Sequence, residues 1–309
     1  MKVGLYSVTY SGAWYRGAGL SAAEFVAKAK ELGFPGVELG AKRPHASPVD
    51  LDERARAQAR EALEIHGIEL AGVAGYNDFT SPVLEHREMQ LLMLREQIKV
   101  TRDLGAPVLR VFAAWRGVTL RDGLATYDMT RRYAENQYPD VTRLEQWRWV
   151  REGLREAARF AEDVGVTLAL QNHEPLIRNY HDMLDMIREV ESPALKACLD
   201  APLLVRRDDA DYVRQAVLDT GDLQVHCHFG GEFHRDADGK AVCELDCDYL
   251  SFVKALKEIG YTGYLTYEFC HPCLDERHEP AGIERVHEQV ALALEFMLDI
   301  LKQAGAEIG

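Results

Sequence analysis

The sequence predicts an α/β fold, a single (β/α)8 TIM barrel spanning residues 1–309, and three observations carry that prediction. Strand-like apolar runs and segments of helical periodicity alternate eight times along the chain. No linker, low-complexity tract or break in composition divides that alternation into separate domains. Several helical segments also end at a glycine that leads straight into a strand: Leu32-Gly33, His66-Gly67, Leu104-Gly105, Val164-Gly165 and Ile259-Gly260. A glycine there supplies the left-handed residue that closes a helix, as successive αβ units require. A doubly wound open sheet is the competing architecture.

In chain order, residues 2–9 alternate as a first strand, and Ser21 with Glu24 forms a capping box opening a helix that runs to Gly33. The second strand is 36–40, followed by an Ala-, Arg- and Glu-rich helix at 50–66. The third strand is 68–74, a long amphipathic helix covers 85–104, and 107–113 is the fourth strand. A polar and aromatic connection from 114 to about 142 precedes the helix at 143–164. Strand five is 166–172, with a helix at 180–190; strand six is 195–200, with a helix at 208–220. Strand seven is 222–229, with a helix at 248–259, and strand eight is 263–269, with the closing helix at 281–304.

A chain of 309 residues that is 47% hydrophobic can bury the core of such a barrel. Its net charge of −14 and lack of a basic run argue against nucleic acid as a partner, because affinity for phosphate backbones comes from Lys and Arg. No membrane span is expected, since no apolar stretch approaches the roughly 20 residues needed. The N-terminus enters directly on a strand pattern without a secretory signal, so a cytoplasmic location is expected. Cys270-His-Pro-Cys273 resembles half of a zinc knuckle, with Cys243 and Cys247 as a loose second half. Cytosolic thiols are mostly free, so a structural zinc is not the favoured reading.

The most informative stretch is 222–229, Asp-Leu-Gln-Val-His-Cys-His-Phe. In a regular strand Gln224, His226 and His228 share one face and Val225 and Cys227 the other. A buried parallel strand is normally a continuous apolar run, so polar groups repeated on one face need a metal, a substrate or each other. Barrel active sites lie at the carboxyl ends of the strands. Those ends carry Glu38, Arg110, Gln171, His173, Asp200, His226, His228 and Glu268. An Asp, a His and a Glu from strands six to eight, joined by the Gln171 carbonyl, suit one divalent cation such as Mn²⁺, Mg²⁺ or Co²⁺, and less specifically Zn²⁺. The alternative is a ring of buried groups hydrogen-bonded to one another.

The succession LALQNH, CLDAP, VHCHFGGE and GYTGYLTYE on strands five to eight resembles the xylose-isomerase-like TIM-barrel superfamily of sugar-phosphate isomerases and epimerases. Its members include ketose 3-epimerases, inosose isomerase and dehydratase, 3-dehydroshikimate dehydratase and, more distantly, endonuclease IV. The resemblance covers essentially the whole chain and is strongest from 166 to 270. It implies metal ligands at Gln171, Asp200, His228 and Glu268, with the second His of the His-x-His as the ligand. The segment His228-Phe-Gly-Gly-Glu232-Phe-His-Arg235 is similar to an epimerase motif with one extra Gly, which makes Arg235 a candidate substrate contact.

Two departures stand out. The family usually has Glu where this chain has Gln171, and many members have a His where it has Leu203. In the epimerases two metal-bound glutamates remove and return a proton on opposite faces of the sugar, which an amide cannot do at neutral pH. His173 is therefore expected to partner Glu268 as the second catalytic group. Glu38, Arg110 and His226 are candidate substrate contacts, Arg110 pairing alternatively with Glu38. Lys42, Arg43 and His45 could hold a phosphate or carboxylate, while Trp14, Tyr15, Tyr76 and Trp115 could wall a sugar pocket.

The expected function is metal-dependent isomerisation or epimerisation of a sugar, sugar phosphate or polyol through proton abstraction beside a carbonyl and an enediolate stabilised by the metal. A dehydratase or lyase is the alternative enzyme, needing one base and one acid. A repair nuclease is disfavoured by the acidic balance and by the lack of a larger His/Asp/Glu set; a barrel kept for binding alone is the non-enzymatic alternative. The expected partner is a small sugar or polyol, and association into a homo-oligomer is left open.

Overall fold

Eight parallel strands close on one another in the computed structural model, which describes residues 1–309 apart from the side chains of 134–136. They are β1 (Lys2–Tyr6), β2 (Gly36–Gly40), β3 (Glu69–Ala74), β4 (Val108–Val111), β5 (Thr167–Gln171), β6 (Leu195–Asp200), β7 (Gln224–Gly230) and β8 (Tyr264–Glu268). Each strand pairs with its neighbour in sequence, and β1 pairs with β8 from Lys2 opposite Tyr264 to Leu5 opposite Tyr267. The ring therefore has no open edge, which excludes the doubly wound sheet.

The helices are α1 (Ala22–Glu31), α2 (Glu53–His66), α3 (Leu84–Leu104), α4 (Asp128–Gln137), α5 (Arg143–Val164), α6 (Tyr180–Val190), α7 (Ala210–Thr220), α8 (Tyr249–Glu258) and α9 (Ile283–Gln303). Ser21 and Glu24 form the expected capping box on α1, and Thr142 with Glu145 forms another on α5. Gly67, Gly105 and Gly165 close α2, α3 and α5 in the left-handed conformation.

The alternation of each strand divides the apolar residues between two regions. Val37, Leu39, Leu109, Val111, Leu168, Leu170, Leu199, Cys227 and Leu265 face outward and join Phe25, Ile98, Leu154, Met183, Phe252 and Met297 of the helices in one large core. Inside the barrel Val108, Ala169 and Cys198 form a small separate cluster. Two residues further along the same faces stand Arg110, Gln171 and Asp200. A floor of small apolar groups thus gives way to polar groups toward the carboxyl ends.

Strand β7 departs from regular alternation. Its register with β6 shifts between Ala197 and Cys198, so Ala197 pairs with Gln224 and Cys198 with His226. The extra residue turns Val225 against the interior cluster, while the Gln224 amide meets Cys227 Sγ at 2.9 Å. His226 and His228 do share the interior face, but Gln224 does not join them.

Other differences lie in the connections. The first strand stops at Tyr6 and passes into a 3-10 turn over Ser7–Tyr10. The 114–142 connection contains a hairpin, Thr119–Arg121 with Leu124–Thr126, ahead of α4. Its Asp122-Gly123 turn has φ of 52° and 85°, the positive values that a tight hairpin demands. A second hairpin, Phe233–Arg235 with Ala241–Cys243, follows β7. Among the described residues no helix is long and apolar enough to cross a membrane.

Candidate active site

The carboxyl ends of β5 to β8 bring Gln171, Asp200, His228 and Glu268 together. One ligand atom from each of Asp200, His228 and Glu268 lies within 4.8 Å of the others. Gln171 Nε2 donates to Asp200 Oδ2 at 2.7 Å and approaches His228 Nδ1 at 3.3 Å, and Glu268 Oε2 is 3.5 Å from the same Nδ1. Asp200 is fixed from below by Asn172, whose Oδ1 accepts from its backbone N–H at 2.7 Å and whose amide donates to its carbonyl at 3.1 Å. Asn172 was not singled out in the sequence, although its place beside Gln171 at a strand end was the available signal.

His228 is oriented from its other side. Its Nε2–H donates to Glu38 Oε2 at 2.7 Å, which leaves Nδ1 as the acceptor facing Asp200 and Glu268. The Tyr6 ring stacks on it at 5.7 Å. Burial opposes charge on His228, but the Glu38 and Glu268 carboxylates together outweigh it and raise the imidazole's basicity. Burial likewise opposes charge on Glu38, yet His228 and His226 together hold its carboxyl well below the usual range. On Asp200, burial and then the Glu268 carboxylate outweigh the opposing pull of His228 and push the carboxyl up to about 8.

Two observations bear on whether a cation fits this cluster. Asp200 Oδ1 and Gln171 Oε1 are buried without a hydrogen-bond partner, and a buried oxygen in that condition is costly. Both belong to the ligand set, and the two carboxylates of Asp200 and Glu268 match the charge of a divalent ion. Glu38, His226 and His228 make a second close trio in which Glu38 Oε1 also lacks a partner, but it holds a single carboxylate, and that carboxylate's Oε2 already meets both imidazole Nε2 atoms, at 3.2 and 2.7 Å. The first group fits a divalent ion; the second supports it.

A small cavity of about 30 Å³ opens beside Glu268 and Gln171. Arg110 and His173 line it, with Trp14, Tyr76, Trp115 and Tyr127 among its walls. Arg110 is 2% exposed and has no direct bond to Glu38; its guanidinium donates to Tyr6 Oη at 3.0 Å and to the Gly75 carbonyl at 3.2 Å. His173 Nδ1 donates to the Glu174 carbonyl, which leaves Nε2 as the acceptor, and burial pushes its pKa down to about 4. Phe112 and Trp115 pack edge-on against its ring at 4.9 and 5.4 Å.

Beyond Tyr76 and Trp115 the space widens into an outer cavity of about 500 Å³, lined by Lys42, Arg43, Arg116, Gln90 and Met93. Tyr15 lies apart, buried with its hydroxyl on the Tyr10 and Ala18 carbonyls. His45 is also buried away from both cavities, against Phe25.

The remaining candidates sit elsewhere. His226 lies behind His228, between Glu38 and Thr266 Oγ1 at 3.3 Å, and touches neither cavity. Glu38 likewise supports the imidazoles instead of facing either cavity. Arg235 turns outward on the second hairpin, where both of its terminal nitrogens bond Glu295 of α9 at 3.0 and 2.8 Å. The extra glycine, Gly231, has φ of 112° and bends the chain away from the mouth. No cysteine joins a group of three close ligating residues among those described; Cys273 is buried and Cys270 lines the small cavity.

Residues 26–299 match the family described as xylose isomerase-like TIM barrel. Fructoselysine 3-epimerase of Shigella flexneri is 25% identical over 268 residues, covering 80% of this chain and 85% of that protein. D-psicose 3-epimerase of Clostridium cellulolyticum H10, solved with D-tagatose, superposes with a TM-score of 0.72 at 18% identity over 97% of this chain and 99% of that one. A 3-keto-D-glucoside 4-epimerase from E. coli gives a TM-score of 0.67 at 19% identity over 95% and 99%. At such identities the structural likenesses speak for the fold.

Proposed function

The chain belongs to the xylose isomerase-like TIM-barrel family, and from that premise we propose that it is an isomerase or epimerase of a sugar that moves a proton on the carbon beside a carbonyl. The observation that carries this reading is the trio Asp200, His228 and Glu268 within 4.8 Å, beside two buried oxygens that lack partners. Gln171, Asp200, His228 and Glu268 would hold one divalent cation, which supplies polarisation of the carbonyl and its neighbouring hydroxyl.

The other steps belong to the protein's own groups. Glu268, 16% exposed at the cavity, is placed to take the C–H proton from one side. His173 is uncharged at neutral pH, so its free Nε2 can accept or relay a proton on the other side. Its low basicity makes it a relay for a proton already loosened rather than a strong base. Arg110 presents a buried positive charge at the cavity wall, where it stabilises negative charge gathering on the substrate oxygens. Phe112, Trp115 and Tyr76 keep water from that wall.

A lyase of the same family is a second reading, favoured by one observation. Gln171 is an amide that donates to Asp200 and so supplies no second carboxylate base, which elimination tolerates better than two-base epimerisation. Both readings are tested by incubating the protein, loaded with Mn²⁺, Mg²⁺ or Co²⁺, with ketoses and inososes in D2O. An epimer or isomer carrying deuterium beside the carbonyl supports the first reading, and loss of water supports the second. Absence of exchange and of product with every metal counts against both.

A further inference from the structure

Resting on that reading of the reaction, we infer that Tyr76 is a further catalytic residue, whose hydroxyl donates a hydrogen bond in the inner cavity to the substrate oxygen on which negative charge gathers. The direction of the bonds behind it carries the inference. Tyr6 Oη and Tyr76 Oη lie 2.5 Å apart, so one of the two hydroxyls donates to the other. Arg110 also donates to Tyr6 Oη, at 3.0 Å, and a guanidinium can only donate. If Tyr76 donated there as well, the Tyr6 proton would have no acceptor among the described residues, on a side chain that is 1% exposed. A buried O–H left without an acceptor is costly. Tyr6 therefore donates to Tyr76, and the Tyr76 proton has no protein acceptor among the described residues.

The backbone fixes where that hydroxyl stands. Tyr76 lies two residues beyond the end of β3, and its N–H and carbonyl are both taken by the buried Gln97 amide, at 3.1 and 3.2 Å. Gly75 donates to the Arg110 carbonyl at 2.7 Å. A Cβ on Gly75 would lie 2.8 Å from Gln97 Oε1 and 2.9 Å from that carbonyl, so no side chain fits there. Gly40 clears the other side, where a Cβ would come within 3.2 Å of Tyr76 Oη. Tyr76 spans both cavities, but Tyr6 lines the inner one alone, so the hydroxyl that meets Tyr6 is at the inner end. Arg110, Gln171, His173 and Glu268 line that same space, and the Tyr76 proton turns into it.

Charge favours a donor at this point. A hydroxyl that accepts from a cation is polarised to donate more strongly, so Arg110 acts on Tyr6 and Tyr6 on Tyr76. The Lys42 ammonium rests 4.6 Å over the Tyr76 ring and lines the same cavity. A substrate oxygen that gains charge as the C–H proton leaves thus meets an O–H with two cations behind it. Tyr76 keeps its own proton throughout, and the transfer stays with Glu268 and His173.

The test compares the Mn²⁺-loaded protein with Tyr76→Phe, Tyr6→Phe and the double variant, using D-fructose, D-tagatose and an inosose in D2O and following deuterium uptake beside the carbonyl by NMR. Tyr76→Phe keeps the ring and should lower kcat by about 10²–10³-fold, with KM changed by less than about threefold and with melting temperature and Mn²⁺ affinity retained. Tyr6→Phe should lose part of that rate. The double variant should be no slower than Tyr76→Phe alone, because Tyr6 acts through Tyr76. Wild-type kcat in Tyr76→Phe, a loss carried by KM alone, or additive losses in the double variant would each overturn the inference. Neutron diffraction from deuterated crystals reads the direction without turnover. Deuterium on Tyr6 between the two oxygens, with that of Tyr76 turned into the cavity, is expected; the reverse arrangement overturns the inference. Exchange that is untouched by Tyr76→Phe removes this role alone. No exchange by the wild type, with the Tyr76 deuterium in the cavity, removes the reaction and leaves the donor.

Discussion

Glu38 Oε2 accepts the Nε2–H of His228 at 2.7 Å across the interior of the barrel, from β2 to β7, with both side chains wholly buried. This contact decides which nitrogen of His228 faces Asp200 and Glu268, and it raises the imidazole's basicity toward a cation. Glu38→Gln keeps the shape but removes the charge. It should weaken Mn²⁺ binding by about 10–100-fold, read by calorimetric titration, with the circular dichroism of the barrel retained. Unchanged affinity would mean that Glu38 is only filler in the core.

Asp200 makes metal binding depend on pH. Its carboxyl is pushed up to about 8, first by burial and then by Glu268, so the metal-free protein carries a proton there at neutral pH. A folded-state pKa above the unfolded value of about 3.9 stabilises the metal-free protein at low pH, and that contribution is lost as pH rises through about 8. The cation must displace the proton. Apparent affinity should therefore climb from about pH 6 to 8 and then level off, with proton release visible when titrations are repeated in buffers of different ionisation enthalpy. No proton release near pH 7 would contradict this assignment.

Gln171→Glu adds a third negative charge to the ligand set. Metal affinity should rise by about tenfold or more, while the metal-free protein melts at a lower temperature because three carboxylates then crowd one buried site. Thermal melts with and without Mn²⁺ should move in opposite directions. A variant whose metal-free form is more stable than the wild type would show that Gln171 lies outside the charged cluster.

Much of this arrangement was legible from local patterns. The glycines at 67, 105 and 165 announced their helix ends, and the two-residue period placed Arg110, Gln171, Asp200 and His228 on interior faces. What escaped depends on contacts distant in the chain. Glu38 and His228 are separated by 190 residues, so nothing near either one says that Glu38 serves the imidazole and does not face a cavity. Arg235 fits a motif in sequence, but the inserted Gly231 and the distant Glu295 decide its direction. The bulge at Val225 depends on pairing with β6, which alternation within β7 cannot reveal.

His173 carries the least conventional role. Its Nδ1 is committed to the Glu174 carbonyl and its pKa is lowered to about 4 by burial, so the ring is neutral across the physiological range. His173→Ala should reduce turnover by about 10²–10⁴-fold with metal content unchanged by elemental analysis. Full turnover would remove it from the reaction, and loss of metal would make it part of the binding site.

One divalent cation is expected among the carboxyl ends of β5 to β8. Anomalous diffraction from crystals grown with Mn²⁺ tests it directly. One strong peak is expected within about 2.0–2.6 Å of Gln171 Oε1, a carboxylate oxygen each of Asp200 and Glu268, and His228 Nδ1. A map with no peak there at saturating Mn²⁺, or with the ion between Glu38 and His226 instead, would contradict it.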